Sequence, residues 1–359
     1  MNRFMKLFLT MLACAAMLTS AAQERKVYSF PTNQIRDLAL IYQGGAKRID
    51  WTKEQFMPYV THTFADGHTE WLFDGFLFLD FNDGRGNTFV PVLDADNGKK
   101  EDWAWYLDRL FERGKSLDAL DNLIGELKDK IGNPGFKHKV VLTLLTPIPK
   151  HTGWGELNGK ALDFNNYEDQ AAAVAWYIDQ IVPRFKQQHY KNLTLSGLYW
   201  VDEDMCHTKE LCKYIAPLVH RKKLEFVWIP YFKARGSDHW QDYGFDIVYH
   251  QPNYFFDAAV PMSQLTGSCD YALQHGMAME FECDAKALYD SPNSFHYRME
   301  DYINVFERYT VFRNSAIAYY TGSKGFIDML NSKSPQDQAI MDRLAKLIVD
   351  RRKIHSLKK

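Results

Sequence analysis

Eight short runs of aliphatic, β-branched and aromatic residues recur along the chain, and most are followed by sequence of helical periodicity. They are Asp37–Gly45 (DLALIYQGG), Leu72–Phe81 (LFDGFLFLDF), Lys139–Pro149 (KVVLTLLTPIP), Leu193–Val201 (LTLSGLYWV), Lys223–Phe232 (KLEFVWIPYF), Phe245–Phe256 (FDIVYHQPNYFF), Gly276–Asp284 (GMAMEFECD) and Asn314–Ser323 (NSAIAYYTGS). Nearly continuous apolar runs are what strands buried on both faces require. Between them, stretches such as YEDQAAAVAWYIDQIVPRFKQQ place apolar residues three and four apart, the spacing of one helix face. The last helix is expected to open at Ser334-Pro335, an N-cap followed by proline in the first turn. Eight strand–helix units without a Pro/Ser/Gly-rich linker predict a single (β/α)8 barrel, an α/β fold of the TIM type. An open doubly wound sheet is the alternative, but YQGGAKR after the first run lacks the glycine spacing of a dinucleotide loop.

Composition narrows the partners. The chain has 359 residues and a formal net charge of −2. Its basic residues are scattered, which argues against nucleic acid or an anionic membrane surface. Aromatic residues make up 15% of the chain, enough to build a core and still line a concave site where flat rings stack on sugars. Residues 1–22 have a signal peptide's three parts: Arg3 and Lys6, an apolar run from Leu7 to Leu18, and the small residues Ser20-Ala21-Ala22. The mature chain is therefore expected to begin at Gln23, exported to the periplasm or beyond. Lipid attachment at Cys14 is the second choice. No later segment has the length and apolarity of a membrane span. Of the four remaining cysteines, Cys206 and Cys212 could pair, and buried free thiols are the other reading.

In such a barrel the active site lies at the C-terminal ends of the strands. The fourth run ends in Asp202-Glu203-Asp204. In the seventh, alternation puts Met277, Met279, Phe281 and Cys283 on one face and Ala278, Glu280, Glu282 and Asp284 on the other. The apolar face suits the helix layer, so the acidic face is expected to look into the barrel mouth. Two carboxyl groups across a cleft are what glycoside hydrolysis uses, one as proton donor and one as nucleophile or base. Crowding them also raises a carboxyl pKa, so the acidic neighbours are expected to hold Glu203 partly protonated. Asp204 is read as part of a solvated loop beginning the next helix.

Around this pair the expected substrate contacts are Asp80 and Asp202, with Tyr42, Trp200 (or Tyr199), Tyr231, Tyr254 and Tyr320 shaping subsites. His250, Gln251 and Asn253 offer hydrogen bonds. DFNDGRGN, Asp80–Asn87, is close to a calcium loop, but its ligand alternation is out of step, which favours a substrate-facing turn. TGSKG after the eighth run is favoured as a plain turn over an anion site. No serine elbow, His-Glu-x-x-His or papain-like cysteine motif occurs.

The Gly197-Leu-Tyr-Trp run ending in an acid–Glu pair, with a glutamate-bearing seventh run, resembles the large retaining glycoside hydrolase clan built on (β/α)8 barrels. In that clan the fourth strand ends in Asn-Glu, the Glu being acid/base, and the seventh carries the nucleophile. The resemblance implies Glu203 as acid/base and Glu282 (or Glu280) as nucleophile. The chain departs from the clan at Asp202, since a carboxylate cannot donate the amide's hydrogen bond. More closely, the mature chain resembles a secreted gut-bacterial family catalogued as domain of unknown function 4855, which has the same Gly-aromatic-Trp strand and glutamate-rich seventh strand. That resemblance implies a barrel of glycosidase type without naming a substrate. The expectation is thus a monomeric glycan hydrolase that needs no metal or organic cofactor, with retention slightly favoured over inversion. The alternatives are a non-catalytic glycan-binding barrel and a metal-dependent hydrolase using His250.

Overall fold

The computed structural model describes residues 28–29, 35–91 and 96–356. The expected signal peptide and Cys14 lie outside them. Eight parallel strands close into a barrel: β1 (Asp37–Tyr42), β2 (Gly75–Leu79), β3 (His138–Leu144), β4 (Leu193–Trp200), β5 (Glu225–Trp228), β6 (Ile247–His250), β7 (Ala278–Glu282) and β8 (Ile317–Tyr320). Each pairs with its sequence neighbours, and β8 returns to β1 with Asp37 opposite Ile317. The predicted (β/α)8 barrel is the fold, and each strand falls inside its predicted run except β3, which begins one residue earlier at His138.

Strand alternation sorts the side chains into two cores. Leu38, Leu40, Leu77, Val141, Val227, Ile247 and Tyr249 fill the barrel interior, joined by the small Ala278, Ala316 and Ala318. Their neighbours of opposite parity, such as Ile41, Phe78, Leu142 and Val248, pack outward into the helix layer. Burying a side chain of this size stabilises the fold by about 1.5–3 kcal/mol relative to exposure.

The outer layer comprises α1 (Lys53–Val60), α2 (Lys100–Leu110), α3 (Ser116–Ile131), α4 (Tyr167–Gln187), α5 (Lys209–Arg221), α6 (Met262–His275), α7 (His296–Arg308), the short α8 (Val311–Asn314) and α9 (Gly325–Asn331), and α10 (Pro335–Ser356). Between β5 and β6 there is only a 3-10 segment, Ser237–Tyr243. Local chemistry sets the ends. The Asn166 side chain accepts from the Asp169 amide to cap α4. Gly276, at φ +64°, ends α6 in the left-handed conformation and turns the chain into β7.

The bottom of the barrel is tied by charge. Asp37 at the start of β1 accepts from the Tyr319 hydroxyl at 2.7 Å and pairs with Arg351 of α10, and both Asp37 and Arg351 are almost wholly buried. Arg351 also donates to the carbonyls of Arg36 and Ser315. No described helix is long and apolar enough to cross a membrane. Cys206, Cys212, Cys269 and Cys283 are all free thiols, so the 206–212 pairing is not formed.

Candidate active site

The acidic face of β7 looks into the barrel mouth. Glu280 and Glu282 line a cavity of about 250 Å³ together with Glu203, which sits just beyond the end of β4. The walls are Tyr42, Phe81, Tyr199, Phe256 and Tyr320, with Leu40, Leu79 and Ile229 below and Gln251 between the acids. Tyr42 and Tyr320 meet edge-to-face with ring centroids 5.5 Å apart. A second cavity of about 370 Å³ adjoins the first and shares Glu203 and Phe81 with it. Val90, Val201, Asp202, Asp204, Tyr231 and Arg235 complete its lining. Glu203, half-buried, therefore stands where two hollows meet.

Two amides join the carboxyl groups of β4 and β7. Gln251 Nε2 donates to Glu203 Oε1 at 2.8 Å and to the Ile229 carbonyl at 3.0 Å. Asn253 Nδ2 donates to Gln251 Oε1 at 3.2 Å and to Glu282 Oε1 at 3.3 Å. The Asn253 backbone is left-handed (φ +48°), a conformation asparagine tolerates better than most residues, and its Oδ1 is anchored by the Phe232 amide at 2.7 Å. The Tyr302 hydroxyl of α7, fully buried, donates to Glu282 Oε2.

These surroundings set the protonation. Burial pushes Glu203 up to about 7, against a lowering hydrogen bond from Gln251 and with a further push from Asp202. Burial raises Glu282 to about 7 as well, helped by the charge of Glu203, although the hydroxyl of Tyr302 and the amides of Tyr254 and Asn253 oppose it by hydrogen-bonding the ionised form. Burial and the charges of Glu282 and Glu203 drive Glu280 well above the usual carboxylate range, and its Oε1 has no hydrogen-bond partner. Asp202 is raised to about 7 by burial, although Thr208 donates to it at 2.9 Å.

The remaining expected contacts divide. Tyr42, Gln251 and Tyr320 line the first cavity; Asp202 and Tyr231 line the second. Asn253 acts through the amide relay. Asp80 lines neither cavity: it is fully buried, gripped by two nitrogens of Arg48 at 3.0 Å each, and accepts from the Gly45 and Phe81 amides. Trp200 is wholly buried in the helix layer, because alternation counted back from Glu203 selects Tyr199 for the interior. His250 faces outward for the same reason, next to Gln251, and its ring lies 5.0 Å from that of Tyr271. Burial depresses it to about 3. Tyr254 lies beyond β6 and lines neither cavity: its hydroxyl donates to Asp301 at 2.7 Å under the Arg298 guanidinium, and only its backbone amide reaches Glu282. Asp204 is not solvated. It is buried, pairs with Arg235 at 3.0 Å and accepts from the Tyr231 hydroxyl at 2.6 Å. Asp284 turns aside to accept from the Lys286 amide.

A family model described as a domain of unknown function (DUF4855) matches residues 37–346, the whole barrel. The chain belongs to this family. No curated protein matches it by sequence. The solved structures similar to this DUF4855 barrel include a fungal β-1,4-galactanase, at 10% identity and TM-score 0.43, covering 86% of this chain and 99% of that one. Another is a GH5-4 broad-specificity endoglucanase from an uncultured bacterium, at 11% identity and TM-score 0.36, covering 77% and 81%. A variant tryptophan synthase α-subunit from Pyrococcus furiosus also aligns, at 8% identity and TM-score 0.34, covering 88% and 98%. At these scores the likeness carries no argument about chemistry, which rests on the side chains of the DUF4855 site itself.

Several of those side chains escape strand-end reasoning. Phe81 and Phe256 wall the cavity; of the alternatives Trp200 and Tyr199, it is Tyr199 that joins them. Tyr302 belongs to the middle of α7, where nothing in the local sequence marks it. In the DUF4855 turn after β2, Asp83 accepts from the amides of Arg85 and Asn87 and from both their side chains, so this segment caps itself, and only Phe81 reaches the first cavity. The TGSKG segment leads into α9, and its Thr321 hydroxyl meets that of Tyr59 at 2.9 Å. Among the described residues, no group of three or more His, Cys, Asp or Glu is arranged to hold a metal ion.

Proposed function

We propose that this DUF4855 barrel is an exported glycoside hydrolase in which Glu203 is the general acid/base and Glu282 the nucleophile or base. The observation that carries the reading is the convergence of Glu203 from the end of β4 with Glu280 and Glu282 from β7 on one aromatic-walled cavity. Glycosidic cleavage needs one carboxyl to protonate the leaving oxygen and another to support the anomeric carbon. Glu203 suits the first role, since burial keeps it protonated near neutral pH and it stands between two hollows, one for each side of the broken bond. Glu282 suits the second, with hydrogen bonds that favour its anion.

The test is a screen of plant and host glycans with the wild type and Glu203→Gln. Turnover should fall by about 10²–10⁴-fold in the variant. Cleavage that survives the substitution undiminished would remove the acid role, and saturable binding with no product would leave a glycan-binding barrel instead. Proton NMR of the first-formed anomer decides between nucleophile and base for Glu282. Export is tested by mass spectrometry of the protein recovered from its host, where the first residue should be Gln23.

A further inference from the structure

The first cavity has an unusual charge balance. Three carboxyl groups face it, and none of its lining residues is Lys, Arg or His. The Arg48 guanidinium lies 4.7 Å from the Tyr42 ring, but Asp80 already grips it through two nitrogens. Glu280 lies deeper along β7 than Glu282, is 2% exposed, and its Oε1 has no partner among the described residues. A buried carboxyl oxygen without a donor costs free energy, which a ligand that brings the donor recovers. Catalysis as proposed uses Glu203 and Glu282 and leaves Glu280 unemployed. The aromatic walls add a second preference, because ring faces attract cations.

We propose that this cavity selects an amino sugar whose free ammonium group lies against Glu280. The inference rests on the glycosidase reading for its sugar and on the cavity for its amine. An ammonium supplies three donors and a compensating charge. A hydroxyl supplies a donor without the charge that an ionised Glu280 would need as its partner. An N-acetyl group removes the charge and adds an acyl group, while a uronic acid or sulfated sugar brings further negative charge. Glu282 on the same strand, Glu203 beyond β4 and the hydroxyls of Tyr42, Tyr199, Tyr302 and Tyr320 are the titratable groups around Glu280. Because burial keeps Glu280 protonated without ligand, seating an ammonium there should release a proton.

The experiment is calorimetric titration of the full chain with glucosamine and galactosamine, against glucose, galactose and the two N-acetylated sugars, in two buffers of different ionisation enthalpy. One or both amines should bind roughly 10–100-fold more tightly than the parent hexose, the range of a charged hydrogen bond, with proton release. Glu280→Gln should abolish both the preference and the release, and Glu280→Asp should retain part of each. Parent or N-acetylated sugars binding as tightly as the amines would overturn the proposal, as would a preference unchanged in Glu280→Gln. If that variant fails to fold, wild-type selectivity still decides. The two readings separate cleanly: amine-selective binding without cleavage of any glycan sinks the hydrolase and keeps the amine site. Cleavage of neutral glycans with no amine preference does the reverse.

Discussion

Glu203 and Glu282 differ in the donors that reach them. Glu203 has Gln251; Glu282 has Asn253, Tyr302 and two backbone amides. Both carboxyls are raised to about 7, and the larger number of donors to the Glu282 anion favours placing the proton on Glu203. The general acid must be protonated, so the basic limb of kcat/KM against pH should fall above about 7, reporting Glu203. Tyr302→Phe removes a donor that favours ionised Glu282, so the acidic limb should move to higher pH while the basic limb stays. A profile unchanged in that variant would mean that Glu282 does not titrate in the reaction. Glu280 affects stability as well. Its folded-state pKa is raised above the ordinary 4.5, so the native protein retains a proton that the unfolded chain releases, and stability from this group is lost as pH rises above that value. Glu280→Gln should therefore gain in melting temperature relative to wild type as pH goes from about 5 to about 8. Scanning calorimetry at several pH values checks this, and a difference that shrinks with pH would contradict it.

At the scale of elements, β4 shows how far pattern reading reaches. Its register against β3 shifts between Leu195 and Gly197, so Leu193 and Leu195 face the helix layer and, past the bulge, so do Leu198 and Trp200. A strict period of two along the whole strand would mis-place half of it. The acidic face of β7 was legible because its five residues run without interruption and alternate cleanly. The barrel was legible too, since eight apolar runs with helices between them allow few closures. What sequence could not convey is where groups from distant segments finish: Asp80 is consumed by Arg48, Asp204 by Arg235, and Tyr302 arrives from a helix. Close packing between elements gives a sharper test. A Cβ on Gly244 would lie 2.4 Å from the Ala216 Cβ of α5, at a backbone φ of +83°. Gly244→Ala should cost about 1–3 kcal/mol or more, read by urea denaturation, with little effect on catalysis in the remaining folded protein.

For the molecule as a whole, the decisive fastening is at the bottom. Arg351 and Asp37 are 314 positions apart in sequence, both buried, and each loses its main charge partner if the other is removed. Arg351→Met should destabilise the barrel by about 3–5 kcal/mol because Asp37 is left buried without its cation, and the loss should shrink when Asp37→Asn is added. Denaturation of the single and double variants measures the coupling. The fastening also dates the moment at which the ring can shut. A ribosome must deliver the last helix before the first strand gains its cation, so the nascent barrel stays open along the β1–β8 seam for almost the whole of synthesis. Premature termination a few codons before Arg351 should thus yield an aggregation-prone open sheet rather than a slightly shortened enzyme.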